Sequence, residues 1–168
     1  TPSDLLPDTL KPCHYEPGSE AEIIRVLTSP EFVTSEEFEP DFENPREATT
    51  MLLRHIATAK QDNGKGYHAL IDTGALITGL SNEDVARALL SYGLTHVDAC
   101  VFLDSSDRKM AVDRTGSKPV PLNRCGFKKE RRFVFYDQVH TTGMDIKHTL
   151  DARAIVTLGK DMTLRDFA

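Results

Sequence analysis

A short polar segment that follows an apolar run holds the residue types best suited to chemistry. Residues 133–136 read Phe-Val-Phe-Tyr, and the segment after them contains Asp137, His140, Thr142, Gly143 and Asp145. In α/β proteins, ligands gather where a buried strand ends and the chain turns. A glycine lets another group approach the backbone, and Asp145 could orient a ribose, a metal-bound water or an arginine. A structural turn, in which Asp145 caps the next segment, is the alternative.

Hydrolysis by a cysteine nucleophile is a second chemistry that the residue types allow. Cys125 lies beside Gly126 among arginines and lysines, which lower a thiol pKa, so it is the better nucleophile candidate, with His140 as its general base. Cys100 is the second candidate, although its apolar neighbours predict a small core residue. An ordinary loop thiol is the alternative for Cys125. The scattered Cys and His residues lack ligand spacing and predict no metal site.

Residues 71–75 read Ile-Asp-Thr-Gly-Ala, the pattern that carries the nucleophile-activating aspartate of aspartic proteases. That chemistry needs two such aspartates sharing a proton, so one copy would require a homodimer of the retroviral type. The amphipathic helix predicted soon afterwards argues against this all-β fold. The alternative is a strand that ends in a tight turn at Gly74.

Strands that alternate with helices must position these residues. We predict strands over residues 68–71, 99–103, 132–136 and 154–158, and a hairpin from residues 109–113 and 120–122. Predicted helices follow a capping-box pattern at Ser19, a cap at Thr50 and a cap at Ser81, the last one ending at Gly93. A final helix is predicted over residues 163–167. This order favours an α/β fold with a mostly parallel sheet covered on both faces.

The composition fits a protein that does not bind nucleic acid through its overall charge. The 168 residues suit one domain, or one domain with an appendage. The net charge of −6, the 7% aromatic content and the absence of Trp argue against nucleic acid as a partner. The charge is uneven: residues 31–47 hold seven acids against one base, and residues 124–132 hold five bases against one acid.

Three cysteines without close pairing predict a reducing compartment. The sequence has no apolar run long enough to span a bilayer and no leader pattern at its start. We therefore expect a cytoplasmic protein with no membrane partner.

The polar segment resembles a specific motif of superfamily-2 helicases. Their second RecA-like lobe has a strand, then Thr-x-x-x-x-Gly-x-Asp, another strand, and a helix with a Gln/Arg motif that meets ATP. Residues 133–136, 142–146, 154–158 and 163–168 follow that order. Residues 66–93 and 99–103 resemble the opening strand–helix–strand of the same lobe.

A closer resemblance is to very large eukaryotic proteins with helicase-like segments that are usually labelled ubiquitinyl hydrolases. Residues 69–77 read Ala-Leu-Ile-Asp-Thr-Gly-Ala-Leu-Ile, and residues 100–103 read Cys-Val-Phe-Leu. Residues 137–147 read Asp-Gln-Val-His-Thr-Thr-Gly-Met-Asp-Ile-Lys, and residues 155–159 read Ile-Val-Thr-Leu-Gly. Together these segments follow the family pattern over residues 66–168.

Several departures from the family pattern bear on activity. Gln138 stands where the family has an acid, and Thr142 stands where it has an arginine. The sequence has no Gly-x-x-x-x-Gly-Lys-Ser/Thr phosphate loop. The chain also ends inside the predicted final helix, before the family's Gln-x-x-x-Arg-Met-Arg segment, so we expect a longer parent protein.

The resemblance implies a three-layer α/β lobe, like the second RecA-like (P-loop NTPase) lobe, over residues 66–168, after a loop-rich extension with short helices over residues 1–65. It implies that the chain is a helicase-like lobe of a large intracellular hydrolase. Such a lobe would be inactive alone and would work with the first RecA-like lobe of the parent protein. The cofactor would be ATP with Mg²⁺ in the full-length protein and none in the fragment. A cysteine-type deubiquitinase with ubiquitin as its partner, and a non-catalytic scaffold lobe, are the alternatives.

Overall fold

The computed structural model describes residues 18–39, 44–141 and 144–163, which fall into two compact units divided between Glu37 and Phe38. In the first unit, helix α1 (Ser19–Thr28) confirms the helix predicted there. The expected cap residue, Ser19, lies inside the helix rather than before it, and the Glu22 carboxylate pairs with Arg25 at 2.6 Å. Gly18, in the left-handed region at φ 93°, precedes the helix instead.

The second unit begins with helix α2 (Pro45–Thr58). The predicted cap at Thr50 is wrong: the Asn44 side chain accepts a hydrogen bond from the Glu47 N–H, and Pro45 occupies the first turn. Leu53 and Ile56, on the predicted apolar face, are buried in the main hydrophobic core. We expected the lobe to begin at residue 66, whereas α2 belongs to the same compact unit as the sheet.

Six strands form one mixed sheet in the second unit. They are β1 (Ala69–Ile71), β2 (Ala99–Leu103), β3 (Lys109–Asp113), β4 (Val120–Pro121), β5 (Arg132–Tyr136) and β6 (Ala154–Val156), in the order β4-β3-β2-β5-β1-β6. Strands β2, β5, β1 and β6 are parallel, and the predicted hairpin of β3 and β4 pairs antiparallel at one edge. The expected α/β class with a mostly parallel sheet is confirmed.

Helix α3 (Asn82–Tyr92) connects β1 to β2 as predicted. Its cap is Ser81, whose hydroxyl accepts a hydrogen bond from the Asp84 N–H at 3.1 Å. Gly93 ends the helix close to the end of α2, since a Cβ there would lie 2.4 Å from the Ala57 carbonyl oxygen. Helices α2 and α3 therefore pack against each other at a point that only glycine fits.

The two faces of the sheet are covered differently. Side chains of alternate strand positions, such as Leu70, Phe102 and Phe133, pack against α2 and α3 on the helix-covered face. On the opposite, loop-covered face, Val101 and Val134 pack with irregular segments that include Ile146. Both helices of the second unit thus lie on one face in the described part of the chain. The final helix predicted over residues 163–167 lies outside the described residues except for residue 163, so the three-layer arrangement stays a prediction.

Candidate functional site

The carboxyl ends of the parallel strands meet at one edge of the sheet. Strand β1 is followed by Asp72, β2 by Asp104 and β5 by Asp137. Strands β1 and β5 are neighbours, and the chain leaves them in opposite directions. After β1 it continues through α3 to β2, on the far side of β5. After β5 it continues to β6, on the far side of β1. Ligands of open α/β sheets bind at such a reversal of strand order.

A crevice of about 240 Å³ opens at this reversal, and we call it the switch-point crevice. Asp72 and Asp137 supply its carboxylates, and Gln138 and Asn82 supply amides. The rest of the wall is mostly apolar, including Val139, which is 80% exposed. No basic side chain is among the described residues that line the crevice, so its character is acidic and apolar.

Asp72 is a buried anchor for the turn that follows β1. One carboxylate oxygen accepts a hydrogen bond from the Leu76 N–H at 3.0 Å and the other from the Ile77 N–H at 3.1 Å. The Thr157 hydroxyl donates to the same carboxylate at 2.5 Å. Both oxygens are therefore occupied by the protein's own groups.

The same turn ties the ends of β1 and β6 together. The Gly74 N–H donates to the Thr157 carbonyl at 2.9 Å, and a Cβ on Gly74 would lie 2.6 Å from the Gly159 nitrogen. This close approach explains the glycine. The structural interpretation of the Asp-Thr-Gly pattern accounts for these contacts, and the aspartic-protease alternative does not, because the fold is α/β and the Asp72 oxygens face backbone and threonine.

His140 is held between two carboxylates, an arrangement that we call the His140 clamp. Its Nδ1 contacts the Asp137 carboxylate, and its Nε2 lies 2.9 Å from the Asp107 carboxylate. The His140 and Asp137 side chains are only 13% and 22% exposed, whereas Asp107 is 75% exposed. The clamp joins the end of β5 to the turn between β2 and β3.

The carboxylates of the clamp favour the charged imidazolium. Hydrogen bonds that the ring donates to Asp107 and then to Asp137 raise the pKa of His140 above its ordinary value. A raised histidine pKa means that the clamp stabilises the fold fully below the unfolded-state pKa of about 6.5. That contribution is lost as the pH rises through the higher pKa of the folded state.

Asp104 shapes the turn that presents Asp107. Its carboxylate accepts hydrogen bonds from the Ser106 and Arg108 N–H groups at 2.9 and 3.0 Å, and the Arg108 guanidinium lowers its pKa. Asp107 then lies in the left-handed region at φ 58°, where aspartate is one of the better-tolerated residues. The turn therefore places a carboxylate over His140.

Of the other predicted site residues, Asp145 is separated from the clamp. Asp145 lies on the loop-covered face, in a second cleft with Lys109 and Arg132. Thr142 and Gly143 lie outside the described residues. Of the five predicted residues, Asp137 lines the crevice, and His140 contacts Asp137 in the clamp.

The two candidate cysteines are not paired with His140. Cys100 is fully buried on the helix-covered face, and burial raises the pKa of its thiol far above the ordinary range. Cys125 is half-buried on the loop-covered face. Both ring nitrogens of His140 face carboxylates, so the geometry provides no assembled thiol–imidazole pair from the three predicted residues.

We did not predict from the sequence that Asp104, Asp107 and Thr157 lie at the carboxyl ends of the parallel strands. The signal for the first was present, because each of three apolar runs is followed directly by an aspartate: Asp72, Asp104 and Asp137. No local signal pairs Asp107 with His140, which is 33 residues away, or Thr157 with Asp72, which is 85 residues away.

No group of three or more His, Cys, Asp or Glu side chains within the described ranges is placed to share a metal ion. Among the residues that the structure describes, no helix has the length and apolar character needed to cross a bilayer. In comparisons with known proteins, no family model matches this chain, and no curated protein or solved structure matches it either.

Proposed function

We propose that the second unit is one lobe of a helicase-like, nucleotide-dependent module, like a second RecA-like lobe, and that it is catalytically incomplete alone. The observation that carries the proposal is the switch-point crevice, with Asp72 and Asp137 at the ends of two adjacent parallel strands. The place is the one where α/β folds bind ligands. The residues after β5 also follow the order of a helicase motif, as the sequence indicates.

The charge of the crevice explains why the lobe would need a partner. A nucleotide triphosphate carries several negative charges, and the described lining of the crevice has no lysine or arginine to meet them. Binding would therefore require Mg²⁺ or basic residues from a first lobe. In the proposed module, this lobe contributes acidic and amide groups, and the first lobe contributes the phosphate cradle.

The His140 clamp has a positioning role in this proposal. It joins the end of β5 to the turn after β2, immediately before the segment of Thr142 and Gly143 in the sequence. A rigid start for that segment would fix where its side chains meet a nucleotide, and small displacements of such groups reduce catalysis strongly.

The test compares ATP turnover by the isolated chain with turnover by the parent protein. We expect none from the isolated chain. In the parent protein, Asp137→Asn should lower kcat about 100-fold, because the clamp and one crevice carboxylate are lost together. Asp62→Asn, at an exposed position that does not line the crevice, is the matched control. Full turnover by the parent carrying Asp137→Asn would contradict the proposal and favour a scaffold lobe.

The thiol-hydrolase alternative is tested separately by labelling with ubiquitin that carries a C-terminal electrophile. We expect no labelling of the isolated chain, because Cys100 is buried and His140 is engaged by two aspartates. Cys100→Ala and Cys125→Ala are the controls. If the wild type is labelled and Cys125→Ala is not, Cys125 is a thiol nucleophile. That outcome would overturn the proposal that this chain is a helicase-like lobe.

A further inference from the structure

A second concave surface lies on the loop-covered face of the sheet, away from the switch-point crevice. It encloses about 430 Å³, a size typical of small-molecule sites. We call it the basic cleft, and its lining residues are Lys109, Leu122, Lys129, Arg132, Asp145, Ile146 and Lys147.

The strand register explains why basic side chains collect there. Lys109 is paired with Leu103, and Arg132 is paired with Ala99, so both project from the same face as Val101. They lie near opposite ends of β2. The apolar side chains of Leu122 and Ile146 contribute the remaining wall, so cations surround an apolar interior.

Two of the cations are held in place by backbone groups. The Arg132 Nε donates to the Phe127 carbonyl at 2.7 Å, and the Lys109 Nζ donates to the Asp145 carbonyl at 2.5 Å. Carbonyl oxygens orient these side chains without cancelling their charge. A ligand would therefore meet cations that are already ordered, which lowers the entropic cost of binding.

The other two cations have no partner in the part of the chain that the structure describes. The Lys129 and Lys147 side chains are exposed, and their ammonium groups form no hydrogen bond or ion pair there. The cleft thus has four basic side chains against one acid, Asp145, although the whole chain has a net charge of −6. Four like charges around one cavity repel each other, and an anionic ligand would relieve that repulsion.

We propose that the basic cleft binds the polyphosphate group of a small molecule, with one site per chain. The excess of three positive charges suits a di- or triphosphate, and a guanidinium recognises phosphate oxygens well. The described lining has no aromatic side chain on which a base could stack, which disfavours single-stranded nucleic acid. The concave shape suits a compact anion better than an extended acidic peptide.

The test titrates inorganic tripolyphosphate into the full chain by calorimetry at low salt. We expect one site whose affinity falls as salt is added. Lys129→Gln combined with Lys147→Gln should weaken binding by about 30-fold or more, since each removes a full charge at close range. Lys60→Gln combined with Lys118→Gln removes the same charge from exposed positions outside the cleft and should change affinity less than about twofold.

Further titrations distinguish the sources of the polyphosphate. ATP binding as well as tripolyphosphate would support recognition of the phosphates alone, and tighter ATP binding would support a nucleotide as the ligand. No binding of tripolyphosphate at low salt would overturn the proposal. Equal weakening by the control pair would also overturn it, because the binding would then be diffuse. Stronger competition by polyglutamate or single-stranded DNA would assign the cleft to another class of partner.

Discussion

The switch-point crevice and the basic cleft differ in whether their charged side chains have partners within the protein. In the crevice, both oxygens of Asp72 accept hydrogen bonds, and Asp137 contacts His140. In the cleft, Lys129 and Lys147 have no partner among the described residues. Charges that the protein itself satisfies hold its backbone in place, whereas charges left without a partner are available to a ligand. Substitutions in the two regions should therefore affect different properties.

The largest effect on stability is expected from Asp72→Asn. An amide would turn a donor toward the Leu76 or Ile77 N–H and leave buried polar groups unpaired. We expect the free energy of unfolding to fall by about 3 kcal/mol. Urea unfolding followed by circular dichroism measures this change. Asp62→Asn should stay within about 0.5 kcal/mol of the wild type. A loss below about 1 kcal/mol for Asp72→Asn would show that the turn does not depend on the carboxylate.

An intermediate, pH-dependent effect is expected from His140→Gln. The clamp is partly exposed, so the loss should be about 1 kcal/mol near pH 6, where the imidazolium is formed. Because the pKa of His140 is raised by Asp107 and Asp137, the difference between wild type and variant should shrink as the pH rises above that pKa. Unfolding curves at about pH 6 and about pH 9 measure it. A difference that grows with pH would contradict a charged clamp.

His148 provides an internal contrast for that experiment. Burial lowers its pKa, and its Nε2 lies 3.0 Å from the Tyr136 hydroxyl. Since its folded-state pKa is lowered, its neutral form favours the fold, and this contribution is lost as the pH falls below the unfolded-state value of about 6.5. The stability difference between the wild type and His148→Gln should therefore shrink as the pH falls, whereas the difference between the wild type and His140→Gln should shrink as the pH rises.

The smallest effect on stability is expected in the basic cleft. Lys129→Gln combined with Lys147→Gln removes repulsion and breaks no described hydrogen bond, so stability should stay within about 0.5 kcal/mol of the wild type or rise slightly. Thermal unfolding without added anions measures this. A loss above about 1 kcal/mol would mean that the lysines have a structural role and would remove the contrast between the two regions.

Local signals were enough to locate most of the secondary structure. The strands at residues 99–103 and 132–136 have the predicted bounds, and the helix capped by Ser81 ends at Gly93 as expected. Apolar runs and caps are local features of a chain, so they can be recognised without the fold. The start of α2 was misplaced even though Asn44 and Pro45 are a standard cap and first residue of a helix.

The site was less predictable because its contacts span long distances in sequence. Asp137 and His140 come from the one segment that the sequence singled out, but their partner Asp107 comes from a different turn. Asp145 was grouped with them by proximity in sequence, and the structure places it in the basic cleft on the loop-covered face. Ile146 packs on that face beside it, and no periodicity predicts the position of such an irregular segment.

By itself, the sequence determined which segments form strands and helices, the α/β class, and the presence of an acid after each of three strands. Those properties depend on side-chain periodicity, caps and chain direction, all of which act over a few residues. The tertiary structure alone decided that Asp72 is an anchor held by Thr157, that His140 is clamped by Asp107, and that scattered lysines line one cleft. Strand order and register set these pairings, because they bring together residues from separate segments of the chain.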